Sequence, residues 1–290
     1  MITLTLRLFL LLILLLPLCS CKKSENENDE EKPTVLVSIP PYSFFVKKIA
    51  GDTVTIETLV PVGANPHIYE STPKEVQRHQ NAALWVYLGE MLDQKVRPFF
   101  DGIQIIDVTD GIPLLSLSKD QCQYHTHDEG KDLHIWLSPK LSQIQAKKIA
   151  AALITLLPEK KELFIANLQH FLNELDDLDH QIATLLAPMH NKAILVSHPA
   201  LGYFCKDYHL TQLSIEIEGK EALPQHVTQL LSQAQRYRVQ SVLLEPQYSN
   251  KGAELIAQSL NLPTHMIDPY AENYAENLLM IAKVIAESND

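Results

Sequence analysis

The sequence predicts an α/β fold in two lobes, each a mainly parallel sheet flanked by helices. Short apolar, β-branched runs alternate with helical segments from residue 34 onward, as in parallel sheets with helical crossovers. One amphipathic stretch, 158–188, interrupts the alternation midway and is much longer than an average helix of about 11 residues. Several loops that follow strands carry histidine or aspartate, and open α/β sheets bind ligands in the loops at the carboxyl ends of their strands.

The elements follow in order. Residues 1–21 hold Arg7, a leucine-rich run over 8–18 and Cys19-Ser20-Cys21. The run is too short to span a bilayer and suits the core of a secretory signal. Leu18-Cys19-Ser20-Cys21 is similar to a bacterial lipoprotein box with Cys21 as acceptor; a plain signal peptide is the alternative. Residues 22–33 are almost wholly polar and read as a flexible tether. A first lobe is expected over 34–157. Its strands are 34–39, 54–60, 84–88 and 103–108. A helix over 42–50 stops at Gly51. Thr72-Pro73-Lys74-Glu75 opens another with a capping box and proline in the first turn. Ser138-Pro139 caps a third, to about 157. Within 158–188, Leu168, Leu172, Leu175, Leu178, Ile182 and Leu185 mark one helical face; at 1.5 Å per residue the segment would reach about 45 Å. A second lobe, 189–290, resumes the alternation with strands at 193–197, 211–217, 239–244 and 263–267.

A formal net charge of −11 on 290 residues disfavours a nucleic-acid partner. Four cysteines do not make a disulfide framework here, since Cys19 and Cys21 belong to the leader. Cys122 and Cys205 fall in different halves and are expected as free thiols.

His67 in GANPH, His134 in DLHIW, His198 in VSHPA and Asp268 in MIDPY are the candidate metal ligands. Three imidazoles and a carboxylate make a complete tetrahedral donor set. Each alone reads as an ordinary loop or buried side chain; four equivalent placements point to a site shared between the halves. Asp132, two residues before His134, could accept the second ring N–H of that histidine, and Glu245 is a further outer-shell candidate. His125 and His127 could hold a metal loosely, or the segment is simply a solvated loop. The same loop is superficially like the H-x-H-x-D-H of metallo-hydrolases, but Glu129 and Gly130 stand where Asp and His are required. No H-E-x-x-H, G-x-S-x-G, P-loop or G-x-G-x-x-G occurs.

Four motifs in order, P-x-G-x-x-P-H-x-Y-E-x-T-P over 61–73, D-x-H-x-W-L-S-P over 132–139, SHPALGYF over 197–204 and EPQYS over 245–249, resemble the metal-specific solute-binding lipoproteins of ABC uptake systems. The resemblance runs from residue 34 to the C-terminus. It implies two α/β lobes joined by one rigid long helix, and a divalent metal held by His67, His134, His198 and Asp268. It also implies a non-enzymatic receptor, a monomer, lying in the periplasm or on the outer face of the cytoplasmic membrane. That receptor is held by acylated Cys21 and delivers its metal to a permease with a cytoplasmic ATPase. Histidine at position 198 is similar to the zinc receptors, with iron(II) and manganese as alternatives. Leu133 departs from the usual proline, and the histidine loop is short. A metallo-hydrolase and a surface adhesin are the rival classes.

Overall fold

Two four-stranded parallel sheets organise the protein, whose computed structural model describes residues 32–116, 130–215 and 224–288. The first contains β1 (Thr34–Val37), β2 (Thr55–Thr58), β3 (Leu84–Tyr87) and β4 (Gln104–Asp107), in the order β2-β1-β3-β4. The second contains β5 (Ala193–Val196), β6 (Thr211–Ser214), β7 (Val242–Leu244) and β8 (Thr264–Met266), in the matching order β6-β5-β7-β8. All pairings are parallel, with Val35 against Ile56 and Leu84, and Leu195 against Leu213 and Val242. In both sheets the chain leaves its first strand to one side and later returns on the other. The strand ends that open a ligand crevice are therefore those of β1 and β3, and of β5 and β7.

Local chemistry accounts for the helices. Pro40 and Pro41 start α1 (Pro40–Ala50), two residues before the expected start, because proline is compatible with the first turn. The predicted capping box forms at α2 (Pro73–His79): Thr72 Oγ1 accepts from the Glu75 amide, and the Glu75 carboxylate accepts from the Thr72 amide. Helix α3 (Met91–Val96) follows β3. Ser138 caps α4 (Pro139–Leu156) by accepting from the Leu141 amide. Strands are one to three residues shorter than read from sequence, as element ends commonly are.

The segment expected over 158–188 is a 3-10 turn (Pro158–Lys160), the 26-residue helix α5 (Lys161–Leu186) and a second 3-10 turn (Ala187–Met189). At 1.5 Å per residue α5 spans about 39 Å. Leu175, Leu178 and Ile182 of the predicted stripe are buried, but Leu168, Leu172 and Leu185 are only partly so. Phe164, Phe171 and Leu186 complete the buried face instead. The stripe follows the 3.6-residue pitch through the larger aromatic side chains.

One core wraps this helix, which packs against α1, α4 and α9 (Tyr274–Glu287). Phe45 meets Phe171 edge-on at 5.2 Å and Tyr274 at 4.9 Å. Strand β5 serves two cores: Ile194 and Val196 face this one, and Ala193 and Leu195 face a second. That second core includes residues of α7 (Pro224–Arg236) and α8 (Lys251–Leu260). Alternate side chains of a strand point to opposite faces, which is why one strand can do both. Helix α6 (Gly202–Asp207) follows β5.

Cys205 is buried without a disulfide. Residues 1–31 with the expected signal and Cys21, together with Cys122, His125 and His127, lie outside the described residues. No helix among the described residues is long and apolar enough to cross a membrane.

Candidate metal centre

The carboxyl ends of the two sheets supply His67 and His198, whereas His134 follows no strand among the described residues, against the expected equivalent placement. Past β2, the Leu59 and Val60 amides still bond to Val37 and Ser38 carbonyls, so the chain leaves the sheet edge along a fixed line. It then turns through Asn65, whose side chain accepts from the His67 amide at 2.9 Å. His198 comes two residues after β5, and the Ser197 amide bonds to Leu243 O of β7 at 2.8 Å. His134 sits between Asp132 and a 3-10 turn (Ile135–Leu137). Asp132 Oδ1 accepts both from the His134 amide (2.9 Å) and from its ring Nδ1 (2.8 Å), so one carboxylate sets backbone and ring together.

Folding brings His67, His134 and His198 together, with one nitrogen from each mutually within 4.8 Å. The Nε2 atoms of His67 and His198 are 3.3 Å apart. Two nitrogens sharing a tetrahedral zinc at about 2.0–2.1 Å are themselves about 3.3 Å apart. On its far side, His67 Nδ1 lies 3.3 Å from Glu90 Oε2, and Glu90 is buried to 5% exposure. Both Nδ1 atoms thus face carboxylates, which leaves the Nε2 lone pairs of His67 and His134 directed inward. The Tyr270 hydroxyl donates to His134 Nε2 at 3.0 Å. Burial holds the Tyr270 and Tyr248 phenols well above the ordinary tyrosine range, so Tyr270 acts there as a neutral donor. Tyr248 stacks on His198 at 4.1 Å, and Trp136 stands 5.2 Å from the His134 ring. These faces shield the imidazoles from water.

Asp268 is not in the histidine cluster. Its Oδ1 accepts from Gln247 Nε2 at 2.6 Å and from the Tyr270 amide at 3.0 Å. The Asp-Pro turn it opens is nonetheless tied to the site, because Trp136 Nε1 donates to Pro269 O at 2.9 Å. Glu245 is fully buried just after β7, and its amide donates to Ser197 Oγ, one residue from His198. Glu90 and Tyr270 were not singled out from the sequence. Glu90 does carry the signal used for the others, because it comes three residues after a strand, β3.

The chain is similar to known proteins over most of its length. The family model described as zinc-uptake complex component A, periplasmic, matches residues 35–288. A candidate metal-binding protein of Chlamydia muridarum is 32% identical over 262 residues, covering 89% of this chain and 93% of its own length. The high-affinity zinc uptake system protein ZnuA of Yersinia pestis is 30% identical over 261 residues, with 81% and 82% covered. A crystal structure of ZnuA superposes with a TM-score of 0.83 at 34% identity, over 90% of this chain and all of that one.

Proposed function

This chain belongs to the ZnuA family of periplasmic zinc-uptake components, and on that premise we propose that it captures Zn²⁺ outside the cytoplasm and hands it to an ABC permease driven by a cytoplasmic ATPase. His67, His134 and His198 are the ligands through Nε2, that of His134 once the Tyr270 hydroxyl turns away from it. Asp268 is the fourth, reached when its carboxylate gives up the bonds to Gln247 and Tyr270. Asp132 and Glu90 act behind the ligands by holding the Nδ1 protons of His134 and His67. The observation that carries the reading is the 3.3 Å separation of the His67 and His198 Nε2 atoms, each contributed by a different sheet. A nitrogen-rich donor set favours Zn²⁺ over Mn²⁺, which prefers oxygen, and iron(II) is the nearer competitor.

On the same reading 34–157 and 189–290 are two lobes and 158–188 is the helix linking them, while 1–21 is a signal, 22–33 a tether and acylated Cys21 the anchor. Metal capture uses binding only and needs no catalytic group.

Calorimetric titration of metal-free protein with Zn²⁺ tests the core of this. One ion should bind per chain at neutral pH, and His198→Ala should weaken it at least a hundredfold. No uptake by the wild type, or unchanged affinity in the variant, would defeat the proposal.

A further inference from the structure

The segment that carries His198 also grips the residue that orients His134. Four residues past His198, Gly202 begins α6 with its Cα against Asp132: a Cβ built there would lie 2.6 Å from Asp132 Oδ2 and 3.7 Å from Leu115 Cδ1. The next residue, Tyr203, donates its hydroxyl proton to the Asp132 carbonyl at 2.7 Å and accepts from the Leu115 amide at 2.9 Å. The Asp132 amide in turn bonds to Leu115 O at 2.8 Å. Asp132 is 3% exposed and its other oxygen, Oδ1, holds both the amide and the ring of His134. Turning Oδ1 away would release that ring.

From this we propose that Gly202 and Tyr203 are positioning residues for the metal centre. They hold Asp132, and through it His134, in the ligating pose, so that two of the three histidines are set by one clasp between the two halves of the chain. Gly202 is required for its missing Cβ. An added methyl forces the Asp132 carboxylate to rotate, Oδ1 leaves His134 Nδ1, and the imidazole is free to turn. Tyr203 fixes the same residue through its main chain. Neither touches the metal.

The inference rests on zinc being the ligand of the histidine cluster, and a double-mutant cycle separates the two claims. Zinc affinity is measured by competition with a chromophoric chelator for wild type, Gly202→Ala, Asp132→Ala and the double variant, with folding followed by circular dichroism. Gly202→Ala should weaken zinc about tenfold or more, the range seen when outer-shell partners of metal ligands are lost. It should cost nothing further when Asp132 is already alanine. The visible bands of the Co²⁺-loaded Gly202→Ala protein should shift as the His134 ligand field changes. Tyr203→Phe, which adds no atom and leaves the packing, should weaken zinc in the same direction if Gly202→Ala does not fold. A Gly202→Ala protein that binds within twofold of wild type, or loses the same factor in the Asp132→Ala background, overturns the inference. A wild type that binds no zinc overturns the functional reading beneath it.

Discussion

At the scale of single residues, the site depends on which nitrogen of each histidine faces inward. A neutral imidazole has one N–H and one lone pair, so a carboxylate on Nδ1 leaves Nε2 to the metal. Asp132 does this for His134 and Glu90 for His67. Glu90→Gln keeps the shape but weakens the acceptor, and should lower zinc affinity about tenfold to a hundredfold with the fold intact. A chelator competition showing no change would remove Glu90 from the account. Asp132 was legible because it lies two residues from its histidine and local Asx turns have short reach. Glu90 is 23 positions beyond His67 in the chain (90 − 67), and only the pairing of β1 with both β2 and β3 brings the two strand ends side by side.

At the scale of elements, buried polar groups hold the strand ends in place. Asp93 in α3 is fully buried. Its Oδ2 accepts from Ser38 Oγ, past β1, and from the Leu88 and Gly89 amides, past β3. Burial raises its carboxyl to about 7, with the charge of Glu90 adding to the shift and the Ser38 hydrogen bond opposing it. An unfolded aspartate titrates near about 3.9. Between these values the folded state binds the extra proton, so this contribution to stability is complete below about pH 4 and is lost as pH rises through 7. Denaturation of metal-free protein should therefore show a fall on the order of 2 kcal/mol between pH 5.5 and 8 from this group, and Asp93→Asn should flatten it. An identical slope in the variant would count against the assignment. The long helix gives a second test at this scale. Ile182 is fully buried in it, and Ile182→Ala should cost about 2–5 kcal/mol in chemical denaturation. A loss under about 1 kcal/mol would mean the helix is not anchored there. Its helical period was readable from sequence. Which side chains filled the stripe was not, because Phe171, for one, is buried against Phe44 and Phe45 of α1, which are distant in the chain.

For the whole molecule, two architectural features bear on how metal is taken up. Helix α5 runs along one continuous core, and α9, at the far end of the chain, packs back on α1 and α5. Tyr274 of α9 donates to Trp136 O at 2.8 Å, next to the His134 turn. Such ties restrict a wide hinge opening, so release is expected through small shifts of the ligand loops. Zinc that binds only the folded state adds stability by mass action, about 4 kcal/mol at a thousandfold excess over Kd. For a chain of this size that is a rise of about 10 °C in Tm. The increment should appear at pH 7.5 and shrink at pH 5, because protons compete for imidazoles whose ordinary pKa is about 6.5. An equal increment at both pH values would place the metal on groups other than histidine.

The amino-acid order alone determined the alternation of strands and helices, the caps, the long amphipathic segment and the placement of His67 and His198 after strands. These depend on periodicity and on contacts a few residues away, which are local properties of a chain. Tertiary structure alone decided that His67 and His198, 131 positions apart, bring Nε2 atoms to 3.3 Å, that Asp268 spends its Oδ1 on Gln247 and Tyr270, and that Gly202 abuts Asp132. Distances of that kind follow from sheet order and from the packing of one half against the other, and both are fixed only when the burial of the whole core selects one arrangement.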